Sequence, residues 1–273
     1  MPSPDARLPM SAAIVCKNNR DTIARTLETV AGLASQIVAV DSGSTDGTIA
    51  LLEQFGCTII RSAWLGHVKT KQVALEACTH PWVLCIDSDE SIEPDLARSI
   101  REALLAPATA CPGYDVNRKI YYRGVPLNHA WQPEWRTRLV RRDAFRWGGL
   151  DPHDSLGPIA PGVTTRRLRG TLRHDSISTF ADFFVKQASH ARTMAQSLHA
   201  AGERGSLGRL LTSPIGALAK QVIVKQAWRD GYAGWLAAAS TAAGTLIKHA
   251  VLIELSRMPG PPTSPGTDAV PKP

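Results

Sequence analysis

The chain has 273 residues, 44% of them hydrophobic, and a formal net charge of +7. That is enough apolar material for one large core, or for a core with a helical appendage, and it excludes a disordered protein. Five cysteines, Cys16, Cys57, Cys78, Cys85 and Cys111, include no CxxC pair and are odd in number, which argues against a disulfide framework and for reduced core residues of a cytoplasmic protein.

Residues 1–9 read as a flexible N-terminus without the apolar segment of a signal peptide. AAIVC (12–16), QIVAV (36–40), CTII (57–60) and WVLCI (82–86) are short, nearly continuous apolar runs, as expected of parallel strands buried on both faces. Helical spacing separates them: Ile23, Leu27 and Val30; Ile49, Leu52 and Phe55; Val73, Ala74, Ala77 and Cys78. A fourth helix is predicted over Ile92–Leu105, with Pro94 in its first turn. This alternation predicts an α/β, doubly wound, mostly parallel sheet that binds ligands at the carboxyl ends of its strands.

From 113 to 175 the pieces YDVNRKIYY, RTRLVRR and TTRRLRGTLRH predict a mixed or antiparallel extension of that sheet. A C-terminal helical region follows over 178–258, with Ser178 as first cap and further helices over Pro214–Arg229 and Gly234–Arg257. Residues 259–273 are Pro-rich and read as a disordered tail. The longest apolar run, Trp235–Ile247, is too short to cross a bilayer. Charge is unevenly spread: residues 1–110 carry 9 Lys/Arg against 13 Asp/Glu, net −4, and residues 111–273 carry 22 against 11, net +11. The second half therefore faces an anionic partner, such as a phosphorylated acceptor or an anionic membrane surface. It contains no nucleic-acid recognition motif.

Two motifs sit where strands end. WVLCIDSDESI places Asp87, Asp89 and Glu90 within four residues of each other, directly after a core strand. Such charges repel unless a cation or hydrogen-bond donors gather there. Mg²⁺ or Mn²⁺ would resolve the conflict, since both take oxygen ligands and share them with water and phosphate. In an extended segment Asp87 and Asp89 would project the same way. In DSGSTDGT (41–48), Asp41 reads as a ligand-facing carboxylate and Asp46 as a helix cap.

CKNNRDTIARTLETV, IVAVDSGSTDGT, WLGHVKTKQVALEA and WVLCIDSDE, in this order and spacing, resemble family 2 glycosyltransferases of the GT-A fold. WQPEWRTRLVRR and DPHDS look like the branch containing bacterial lipopolysaccharide core glucosyltransferases. The likeness spans residues 10–175 and implies a GT-A-like catalytic domain over 10–177, with a nucleotide-binding half (10–110) and an acceptor half (111–177). It implies inverting transfer from a nucleotide-sugar donor, a UDP-sugar favoured, to a glycan or lipid-linked acceptor, in the cytoplasm or on the inner face of the cytoplasmic membrane.

On the same resemblance, Asp41 would contact the base, Lys71 the nucleotide, Asp87 and Ser88 the ribose, and Asp89 the Mg²⁺ or Mn²⁺ ion. Inversion needs a base that takes the acceptor proton, and DPHDS offers Asp154, with Asp151 as the alternative. Trp131, Trp135, Arg138 and His153 are candidates for the acceptor side, because sugars stack on aromatic rings and arginines bind phosphates. His174 is a candidate phosphate or metal contact, or else a core histidine. Asn19 stands where the family usually has Glu, and Asp154 where it commonly has Glu. These departures leave open a non-catalytic sugar-nucleotide-binding or glycan-binding protein. Nucleotidyl transfer fits less well, because KNNRDT supplies no Gly-rich phosphate loop.

Overall fold

The computed structural model describes residues 6–106, 111–150 and 153–257, so the expected Pro-rich tail lies outside the described residues, as do Asp151 and Pro152. The first half runs β1 (Leu8–Cys16), α1 (Arg20–Ala31), β2 (Ala34–Asp41), α2 (Thr48–Gln54), β3 (Thr58–Arg61), α3 (His67–Glu76) and β4 (Trp82–Asp87). These strands pair in parallel in the order β3-β2-β1-β4, as the apolar runs predict. Alternation along β1 divides the core: Met10, Ala12 and Ile14 join α1, α2 and the later helix α4 (Pro94–Leu105), whereas Ala13 joins α3 on the other face. β1 starts at buried Leu8, inside the stretch expected to be flexible, because the Leu8 N–H donates to the Leu33 carbonyl at 2.8 Å.

The second half adds β5 (Glu90–Ile92), β6 (Gly113–Tyr122), β7 (Val125–Pro126), β8 (Trp135–Arg141) and β11 (Arg166–Ile177), and the main sheet reads β3-β2-β1-β4-β8-β6-β11-β5, with β7 beside β6. A separate hairpin, β9 (Phe145–Leu150) with β10 (His153–Pro158), covers the α3 face. Nothing local marks its second arm as a strand, since DPHDS carries turn residues and its partner lies across a chain reversal.

β4 and β5 are joined by a two-residue turn, Ser88 and Asp89, yet three strands separate them in the sheet. Only a sheet curled on itself satisfies both facts. Asp87 and Asp89 therefore do not share one extended segment, and the period-two argument for a common direction fails. The curl closes on a buried charge. Fully buried Glu90 lies 2.9 Å from Arg138 on β8 and 3.4 Å from Arg118 on β6, and it accepts the Asp87 N–H at 2.9 Å.

The C-terminal region packs α5 (Phe180–Ala200), α6 (Leu207–Ala219) and α7 (Gly231–Arg257) into a helical layer, with a π-helical turn at Lys220–Val224 and a 3₁₀ turn at Ala227–Asp230. Thr179, rather than Ser178, caps α5: its hydroxyl accepts the Asp182 N–H and donates back to the Asp182 carboxylate at 2.6 Å. Pro214, expected to open a helix, lies inside α6, because Ser206 caps the helix about two turns before the proline. Phe180, Phe183, Ala233 and Ala237 pack against Ile120, Tyr122 and Leu127 of the sheet extension.

Two substitutions test this construction. Gly170 adopts φ +84° at a bulge in β11, and a Cβ there would overlap the backbone of Asp95 and Leu96. Gly170→Ala is expected to cost at least about 2 kcal/mol by combining φ strain with overpacking. Glu90→Gln leaves buried Arg138 and part-buried Arg118 with one carboxylate partner each, Asp87 and Glu134, and is expected to cost about 1.5–3 kcal/mol. Urea denaturation followed by tryptophan fluorescence measures both; wild-type midpoints would refute the packing and the charge argument respectively.

Candidate active site

A cavity of about 1060 Å³ opens between the carboxyl ends of β1 and β4, the curled extension and the helical layer. Val15, Cys16, Lys17 and Asn19 form its β1 side, and Asp87, Ser88 and Asp89 its β4 side. Its far wall comes from α5, the π-helical turn and α7.

The carboxylates that seemed to demand a metal are mostly neutralised by protein cations. Asp87 Oδ1 lies 2.7 Å from Lys71 and its Oδ2 lies 3.3 Å from Arg138. Burial acts to raise the Asp87 pKa, but the Lys71 and Arg138 charges outweigh it and hold the carboxyl well below the usual carboxylate range. Lys71 also lies 2.9 Å from Asp154 Oδ2. Burial works against the Lys71 charge and so does Arg138, yet Asp87 and Asp154 raise its pKa on balance. It is thus a charged bridge between the end of β4 and the β9–β10 hairpin. Glu134 is gripped in the same way, 2.6 Å from Arg118 and 2.8 Å from Arg136; burial raises its pKa, but Arg118 leads in bringing it down to about 2.

Asp89 stands apart. Its Oδ2 lies 3.3 Å from His174 Nε2, and among the described residues its Oδ1 has no hydrogen-bond partner. Burial pushes its pKa up, His174 pulls it down, and the net shift is downward. His174 sits opposite Glu90 in the β11–β5 register, and its buried Nδ1 lacks a partner among the described residues. Among the described residues no three His, Cys, Asp or Glu side chains gather into a ready-made metal cluster. The site therefore offers a hard cation one carboxylate, with room for water and phosphate oxygens around it.

Other expected site residues divide. Asp41 is buried outside the cavity wall, its carboxylate accepting from the Gly43 and Ser44 N–H groups at 3.0 Å and from the Ser44 hydroxyl. Burial raises the Asp41 pKa, and these donors lower it further than burial raises it. Ser88 lines the cavity, and its carbonyl accepts from the Thr26 hydroxyl at 3.1 Å. Trp131 lines it too, donating from Nε1 to Thr241 of α7 at 2.9 Å and lying against Phe183 of α5.

Arg138 reaches the cavity, but its guanidinium is committed to Asp87 and Glu90. Trp135 is not in the wall; its ring stacks under Arg167, 4.6 Å from the guanidinium carbon. His153 opens β10, and its side chain lies outside what is described. Asp46 serves as a cap, accepting from the Thr48 N–H and the Arg20 N–H at 3.0 Å each. Sequence reading passed over Arg118, Glu134, Lys186 and Lys248, all of which line the cavity. The signal for Glu134 and Arg136 lay in WQPEWR, a carboxylate between two aromatics and beside a cation; for Lys186 and Lys248 only the helix packing reveals it.

Residues 11–160 match the model of the family described as Glycosyl transferase family 2, more than half of the chain. The lipopolysaccharide core biosynthesis glycosyltransferase LpsC of Rhizobium meliloti (strain 1021) is 30% identical over 238 residues, covering 85% of this chain and 87% of that protein. The uncharacterized glycosyltransferase RP128 of Rickettsia prowazekii (strain Madrid E) is 26% identical over 261 residues, covering 90% and 87%. Among solved structures, mannosyltransferase PcManGT from Pyrobaculum calidifontis, in complex with GDP-Man and Mn²⁺, matches with a TM-score of 0.53 at 15% identity over 94% of this chain and 90% of that one. The curled sheet with its parallel first half is thus the GT-A architecture, and the chain belongs to glycosyl transferase family 2.

Proposed function

We propose that the chain moves a sugar from a nucleotide-activated donor to a glycan or lipid-linked acceptor of the lipopolysaccharide core or another envelope glycan, with inversion at the anomeric carbon. Residues 10–110 hold the nucleotide and 111–177 the acceptor. The observation that carries this reading is the pairing of Asp89 and Asp154 in one cavity, each with one oxygen held by a neighbouring side chain and the other without a hydrogen-bond partner among the described residues.

In this reading Asp89 is the protein ligand for Mg²⁺ or Mn²⁺; Mn²⁺ accompanies GDP-Man in the Pyrobaculum structure. When bound, the cation offsets charge on the leaving diphosphate. Asp87 and Ser88 face the ribose, and Lys71, charged and fixed, holds Asp154 in place on the nucleotide side. Asp41 acts through its loop, keeping residues 43–44 in shape beside the base.

The acceptor hydroxyl oxygen attacks the anomeric carbon, its proton passes to Asp154 Oδ1, and the carbon–oxygen bond to the diphosphate breaks, releasing the nucleoside diphosphate. Trp131 is the acceptor-side aromatic surface. The odd number of cysteines, with no CxxC pair, supports a reducing, cytoplasmic setting.

The donor is identified by thermal shift with UDP-, GDP- and ADP-sugars in the presence of Mn²⁺. Asp89→Asn is expected to abolish metal-stimulated turnover and the metal-dependent part of the donor shift, while the apo melting temperature is retained; undiminished metal stimulation would remove Asp89 from the role. Asp154→Asn is expected to lower kcat by roughly 10²–10⁴-fold with donor affinity nearly unchanged. A variant as fast as the parent would exclude Asp154 as the base.

A further inference from the structure

The helical layer carries a surface that the transfer reaction does not use. α6 has no buried residue at all, although its sequence LGRLLTSPIGALA is strongly apolar. Leu207, Leu211 and Ile215 recur at intervals of four, so they form one stripe, and they are 59%, 68% and 69% exposed. The stripe continues through Ile223 and Val224 of the π-helical turn to Trp228, each more than half exposed. A soluble surface rarely leaves so much contiguous apolar area uncovered.

We propose that α6 and the turns that follow it dock on an anionic lipid bilayer, lying in the plane of the interface. Charge selects this occupant. Between Leu207 and Arg229 the chain carries Arg209, Lys220, Lys225 and Arg229 and no Asp or Glu. Arg209 is paired with Glu203 at 3.2 Å and Lys225 donates to the Gln132 carbonyl at 2.7 Å, so Lys220 and Arg229 carry the segment's uncompensated charge, which anionic headgroups complement and a second copy would repeat. Trp228 supplies the amphipathic ring favoured at the headgroup level.

With 13 residues at about 1.5 Å each, α6 reaches about 20 Å, short of the roughly 30 Å hydrocarbon core, so it rests on the bilayer instead of crossing it. The run Ala227–Arg257 is long and apolar enough to cross by length and composition. It is nevertheless part of the enzyme body: Thr241, Gly244, Thr245 and Lys248 line the cavity, and buried Ser240 and His249 lie on the same helix.

Docking has a consequence for the substrate. Lys220, Gln221 and Lys225 belong both to the cationic segment and to the cavity wall. The cavity rim therefore meets the headgroup plane, where an acceptor anchored by its lipid end presents its sugar. This consequence rests on the proposed transfer reaction; the docking itself does not.

The test is co-sedimentation of the full chain, without donor or acceptor, with vesicles of phosphatidylcholine and phosphatidylglycerol in equal parts. The wild type is expected to pellet with these vesicles, less with phosphatidylcholine alone, and less at high salt. Leu211→Asp combined with Ile215→Asp is expected to weaken vesicle binding at least about ten-fold, since both side chains lose apolar burial in the interface. Its circular dichroism and its melting-temperature shift with donor and Mn²⁺ should match the parent.

A wild type that stays in the supernatant, or a variant that pellets as well as the parent, overturns the proposal. So does a wild type that elutes as a dimer and a variant that elutes as a monomer, without vesicle binding in either. Failure of docking leaves the transfer reading intact, and loss of turnover assignments at Asp89 and Asp154 leaves vesicle binding intact.

Discussion

One fully buried carboxylate sets the geometry on which the site depends. Glu90 has given up its hydration, and Arg138, Arg118 and the Asp87 N–H replace it from β8, β6 and the end of β4. Buried ion pairs of this kind contribute little net stability compared with an apolar filling, but a misplaced partner is heavily penalised. Glu90 therefore acts as a fixture that requires the sheet to curl until three strands face one point. Asp87 and Lys71 extend the same network outward to Asp154. Asp89 and Asp154, each with one oxygen unclaimed among the described residues, lie where this chain of fixed charges meets the open cavity.

The helical layer completes the enclosure and is tied to the sheet by a polar joint. The Trp131 backbone N–H donates to Gln221 at 3.1 Å, its indole to Thr241, and its ring lies against Phe183, so one residue of a sheet loop touches three parts of the layer. Asp230 returns the connection by accepting the N–H groups of Asn128, His129 and Ala130. These bonds keep the apolar, cationic outer face of the layer in a fixed relation to the chemistry within.

Much of this was legible in the residues. AAIVC, QIVAV and WVLCI announced strands because both faces are buried, which removes the polar alternation that would have confused them with surface ribbons. The site loops followed, since doubly wound sheets bind at one edge. What sequence could not give was pairing across long separations. Glu90, Arg118 and Arg138 are 20 or more residues apart, so the acidic cluster after β4 read as a metal demand when guanidinium groups already answered most of it. Asp41 read as an outward ligand, yet its own loop supplies three donors. Trp135 was indistinguishable from Trp131 by residue type, and only the strand register sends it to Arg167. Pro214 misled because a proline is compatible with a helix start, and nothing local reveals that Ser206 begins the helix earlier.

Asp46 joins the two loops that follow β1 and β2. One of its oxygens accepts from Arg20 at the start of α1 and the other from Thr48 at the start of α2. Around it, the Asn18 N–H donates to Ser44, the Asn19 N–H to Thr48, and the Thr45 N–H to Asn18. The loops after β1 and β2 are thus laced into a single stiff collar. That rim is ordered before any ligand arrives, so little conformational entropy is lost there on binding.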